Sequence, residues 1–74
     1  MVNRDRLITL MRSRGLRPSD LARLSGLSTG HVSQILKGER TRLEVRTLVR
    51  LAKALDVPVQ ELLLEESDVL ASRG

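Results

Sequence analysis

The sequence contains no cysteine, tryptophan, tyrosine or phenylalanine, and has only two prolines and a single histidine. Without cysteine there is no disulfide framework and no thiolate metal site. One histidine cannot build a zinc site, and no cluster of His, Asp and Glu has ligand spacing, so neither a metal nor a cofactor is expected. The missing aromatics argue against folds that bind RNA or single strands by stacking bases. No apolar run approaches the roughly 20 residues that span a bilayer. No signal-peptide core follows Met1, so the chain is expected to be cytoplasmic and to have no membrane partner. The carboxylates of Glu61, Glu65, Glu66 and Asp68 could suggest acid–base chemistry. They lack a nucleophile, a metal partner or any sign of a pocket, and no enzyme is expected.

What is present is leucine and arginine. A chain of 74 residues makes one domain and buries only roughly 60% of its unfolded surface. With no aromatics the core must be aliphatic, and Leu with Ala and Met favours helix over sheet. Charge is divided unevenly: residues 1–60 hold twelve Lys/Arg against five acids, whereas residues 61–74 hold one arginine against four acids. A basic body with an acidic end suggests a polyanionic partner for the body.

Gly15, Pro18, Gly26, Gly38 and Pro58 divide the chain into five short segments of helical period, with no sustained alternation of period two. The first has Asn3 as N-cap and Leu7, Leu10 and Met11 on one face. The second opens at Pro18, a residue suited to the first helical position, and the third at Ser28, an N-cap. The fourth runs to Leu55. Thr41 and Glu44 have capping-box spacing there, but the apolar face is secure only from Val45. The fifth opens at Pro58. The pattern predicts an all-α fold with residues 1–64 as the domain and 65–74 as a short acidic tail, frayed at the end.

The stretch 18–37, PSDLARLSGLSTGHVSQILK, carries the strongest signal. Two helices that cross steeply through a tight turn need a small residue at closest approach, and Ala22 supplies it. Four positions later a residue with positive φ must end the first helix, which suits Gly26. Six positions after that an aliphatic residue must plug the angle, and Val32 stands there. Leu21, Leu27 and Ile35 complete the wedge. The spacing predicts a helix-turn-helix whose second helix spans residues 28–37.

Together with Gly15-Leu16, Lys37-Gly38, Thr47-Leu48, Leu51-Ala52-Lys53-Ala54-Leu55 and Val57-Pro58, this stretch resembles the Cro/λ-repressor class of regulators (the XRE family) over residues 6 to about 64. The resemblance implies a compact five-helix domain that docks its recognition helix in the major groove of double-stranded DNA. It implies a transcriptional regulator that acts as a repressor. By position, Thr29, Gly30, Ser33 and Gln34 would read bases. Gln34 is the best single reader, since its amide can bond adenine bidentately. Arg17, Ser19, Ser28, His31, Lys37, Arg40 and Arg42 would anchor phosphates. His31 is assigned there rather than as a pH switch. Arg4, Arg6, Arg12 and Arg14 fit either an extra basic face or a solvated one.

The chain departs from the family pattern at four places. Pro18 stands where a phosphate-bonding Gln is frequent, and Gly30 brings no side chain to a base-facing position. Leu36 replaces a common Glu, and Asp56 a frequent Gly. A homodimer on a palindromic operator is also implied. Three consecutive leucines, 62 to 64, cannot all face one small core, so a weak dimer through Val59, Leu63 and Leu64, extended by Val69 and Leu70, is expected. No small-molecule ligand is evident. Two alternatives stand beside this reading: an antitoxin-type autorepressor, and a protein-interaction adaptor that keeps the fold without reading DNA.

Overall fold

The computed structural model describes residues 1–64; the tail at 65–74, with Val69 and Leu70, lies outside the described residues. Four α-helices follow one another: α1 (Arg4–Ser13), α2 (Pro18–Ser25), α3 (Thr29–Leu36) and α4 (Val45–Leu55). The expected fifth helix is instead a single 3₁₀ turn, Val59–Leu62. After Pro58 its only apolar anchor with full burial is Leu62, and one anchor sustains one turn rather than a helix.

Each helix start has a local cause. The Asn3 side chain accepts the Arg6 amide at 3.1 Å, and the Ser28 hydroxyl accepts the His31 amide at 3.1 Å. Each thereby satisfies a donor that the first turn would leave unpaired. Pro18 is the first residue of α2, where its missing N–H costs nothing. The α4 start is settled at Val45 with Glu44 as N-cap and without a side-chain cap, so Thr41 plays no capping part. Val45 itself is exposed; the apolar face of α4 begins with Thr47 and Leu48.

Helix ends are equally specific. Gly26 closes α2 at φ +75°, as its spacing predicts. Asp56 closes α4 at φ +57°, in the left-handed region where the family pattern often has glycine. The core is one aliphatic cluster in which Leu7, Leu21, Val32, Ile35, Leu51, Leu55 and Leu62 are the largest fully buried side chains. Burying each is worth about 1.5–3 kcal/mol. Every helix and the 3₁₀ turn contribute at least one of them, so no element of this small domain is stable alone.

One feature lies beyond helical periodicity. Val2 is buried in the core and forms an isolated antiparallel bridge with Leu63. The Asn3 amide donates to the Leu62 carbonyl at 2.7 Å and the Leu64 amide to the Met1 carbonyl at 3.1 Å. On its other side Val2 donates its amide to the Thr41 carbonyl at 3.0 Å. The N-terminal segment is thus held between the segment that follows α3 and the end of the described chain. Arg6 adds a side-chain tie, pairing with Glu61 through Nε at 3.0 Å and through Nη2. No helix among the described residues is long and apolar enough to cross a membrane.

Candidate nucleic-acid interface

The angle between α2 and α3 is built as the sequence requires. Ala22 is buried at the crossing, and Val32 and Ile35 are buried on the inner face of α3. The Leu27 amide returns to the Ala22 carbonyl at 3.1 Å, which closes the turn around Gly26. Ser25 is also buried there, a residue the sequence reading passed over. Its hydroxyl donates to the Ala22 carbonyl at 3.3 Å, and its oxygen lies 3.4 Å from the Leu27 amide. A buried hydroxyl bonded to both limbs of the turn leaves no polar atom unpaired.

With Val32 and Ile35 inward, the opposite face of α3 is fixed by the helical period. Thr29, Gly30 and Gln34 are exposed on it, and Ser33 is half-buried beside them. Gly30 has open space where a Cβ would stand, so nothing inside the protein requires glycine there. His31 is half-buried near the start of α3.

The flanking cations are placed by the ends of the two helices. Arg17 and Ser19 are exposed at the start of α2. Arg17 is not a free charge: its Nε bonds the Asp20 carboxylate at 3.1 Å, and its backbone amide bonds the same group at 2.9 Å. The Arg17 side-chain hydrogen bond, followed by its backbone amide, lowers the Asp20 pKa to about 2. Arg17 is raised in return by that bond.

After α3 the chain reverses through a Schellman motif. The Gly38 amide donates to the Ile35 carbonyl at 3.1 Å and the Glu39 amide to the Gln34 carbonyl at 2.9 Å, with Gly38 at φ +81°. This turn leads into Arg40 and Arg42, both exposed, and Lys37 is exposed just before it. Arg4 joins this group from α1: its guanidinium lies over Gly38, 3.3 Å from where a Cβ would be. Arg4 and Arg40 line one cleft between the N-terminal segment and the end of α3. The sequence left Arg4 open between a basic face and solvent, because its neighbour across the fold is 34 positions away. Arg6 is drawn off to Glu61.

The residues expected at a dimer contact divide. Leu62 is fully buried, Val59 and Leu63 are half-buried against the core, and Leu64 is half-buried in the cleft beside Arg4 and Arg40. Among the described residues no group of His, Asp and Glu could hold a metal ion.

A rigid helix that shows a polar face between cationic flanks, with its partner helix crossing behind it, defines a helix-turn-helix DNA-binding domain. Comparison with known proteins agrees. The Cro/C1-type HTH DNA-binding domain matches residues 6–65. The chain belongs to this family and is a DNA-binding regulator. Among solved structures it is similar to the restriction-modification controller protein C.AhdI from Aeromonas hydrophila. The two are 35% identical with a TM-score of 0.75, over 81% of this chain and 89% of that one. No curated protein matches the sequence significantly.

Proposed function

We propose that the protein is a sequence-specific repressor that reads double-stranded DNA through the outer face of α3. The observation that carries this reading is the placement of Thr29, Gly30, Ser33 and Gln34 on one accessible face whose back is locked by Val32 and Ile35. In this reading Arg17, Ser19 and Ser28 at the starts of α2 and α3, and Lys37, Arg42 and Arg4 around the end of α3, are the groups that grip the phosphates beside the groove. One such helix reads only a few base pairs, too few to find one operator among many competing sites. The working unit is therefore a weak homodimer on a palindrome with half-sites about 10 bp apart, joined through the half-buried Leu63 and Leu64 with Val59. The similarity to a restriction-modification controller supports a second, more specific reading, control of a restriction-modification system.

Duplex selection from a random library, followed by a salt titration, tests the proposal. With roughly 4–8 phosphate contacts per dimer, log K should fall with log salt by about 0.9 per contact. A flat response refutes DNA binding. Sedimentation on the selected palindrome should give two chains per duplex, and Leu64→Ala, which adds no charge beside Arg4 and Arg40, should weaken that complex while leaving helix content unchanged. A strict one-to-one complex at saturation refutes the dimer. Repression is read from a reporter placed behind the selected sequence. Occurrence of that sequence upstream of restriction-modification genes would favour the second reading.

A further inference from the structure

We propose that Gln34 and Arg40 act as one base-reading unit, and that Arg40 turns Gln34 from an adenine reader into half of a guanine reader. This rests on the reading of α3 as the recognition helix. Arg40 Nε donates to Gln34 Oε1 at 2.9 Å. A guanidinium has donors only, so the amide must turn its oxygen toward Arg40 and hold its NH2 away. Bidentate recognition of adenine needs that oxygen to accept from N6 while the NH2 donates to N7. In this structure Arg40 already takes one of that oxygen's two lone pairs and fixes its direction toward the turn, so the oxygen is no longer free to be aimed at N6.

What the pair offers is then overwhelmingly donors: the two amide hydrogens of Gln34 and the Nη hydrogens of Arg40. Guanine presents two acceptors in the major groove, N7 and O6, and no donor, which matches that set. Adenine and cytosine each place an amino group there, opposite donors.

The pairing is built into the backbone as well as the side chains. Gln34 takes part twice: its carbonyl accepts the Glu39 amide in the Schellman turn, and its side chain accepts Arg40. Gly38, at φ +81°, reverses the chain so that Arg40, six positions after Gln34, lies over the last turn of α3. Both side chains are exposed, so the hydrogen bond does little for stability; its consequence is orientation. None of the ion pairs formed among the described residues involves Arg40, which leaves its remaining hydrogens for the groove.

The test is bind-and-sequence selection with the full chain, its Arg40→Ala and Gln34→Ala variants and the double variant, each checked for unchanged helix content. The wild type is expected to enrich a motif with guanine at the base pair that Gln34→Ala releases. Arg40→Ala should alter that same pair, moving its preference from guanine toward adenine by about tenfold and leaving the other positions unchanged. The double variant should show no preference there beyond that of Gln34→Ala alone. Three results overturn the proposal while leaving DNA recognition intact. These are a uniform loss of affinity in Arg40→Ala with the motif unaltered, a change at a different base pair, and adenine at that pair in the wild type. Enrichment of no motif by the wild type would reject the recognition reading itself.

Discussion

Gly30 occupies a helical position with no neighbour within 4 Å of its missing Cβ. Glycine in a helix costs about 0.5–1 kcal/mol relative to alanine, and nothing in the fold offsets that cost. Gly30→Ala is therefore expected to raise stability by about that amount. If the groove approaches the backbone closely at Gly30, the same substitution lowers duplex affinity by about fivefold or more. Thermal melting and binding on one preparation separate the two effects; a gain in both would show that the groove makes no demand there. At this scale the sequence was legible wherever a residue acts on near neighbours. Ser28 caps three residues on, Gly26 ends its own helix, and Val32 fills the angle six positions later. Arg40 was less legible. Its place over Gln34 depends on a left-handed turn and on two rotamers, and a linear pattern assigns such an arginine only to the phosphates.

The ends of the helices hold most of the adjustable stability. Asp56 combines a left-handed backbone at φ +57° with a carboxylate at the negative end of α4. The conformation costs a residue with a side chain about 1–2 kcal/mol, glycine's extra chain entropy offsets part of that gain, and removing the charge adds about 0.3–1 kcal/mol. Asp56→Gly is expected to stabilise by about 1 kcal/mol, and Asp56→Asn by only the smaller charge contribution; urea denaturation measures both. Asp20 at the start of α2 works the other way. Its folded pKa is held at about 2, by the Arg17 hydrogen bond first, below an unfolded value of about 3.9. The native state binds fewer protons between these values, so this contribution is complete above about pH 4 and is lost as pH falls toward 2. The effect is small because Arg17 is largely exposed. Asp20→Asn should flatten the acid side of the urea midpoint in that window and no other; an unchanged profile would show that the Arg17 pairing is too weak to register. Element types were readable from period and punctuation. The fifth segment was not, because Pro58, Val59 and Leu62 are compatible with a helix or a single turn, and only packing chooses.

For the molecule as a whole, helical periodicity could not reveal that Val2 is core, since its partner Leu63 lies at the other end of the described chain. A pairing of that separation follows from topology rather than local pattern. It also ranks the fold's contacts by sequence distance. The α2–α3 turn closes over a few residues, whereas the Val2–Leu63 joint must close a loop spanning nearly the whole domain, at about 3–4 kcal/mol of chain entropy. The joint is expected to form late and open first. Native-state hydrogen exchange should then find the Asn3 and Leu64 amides, which bond across it, less protected than the Leu51 and Leu55 amides inside α4. Because Val2 also holds the Thr41 carbonyl, each opening loosens the segment bearing Arg40 and Arg42. Linkage requires the reverse: a duplex that grips those arginines must hold the chain ends together. Operator DNA should slow exchange at Asn3 and Leu64, amides that bond across the joint and not to the segment bearing Arg40 and Arg42.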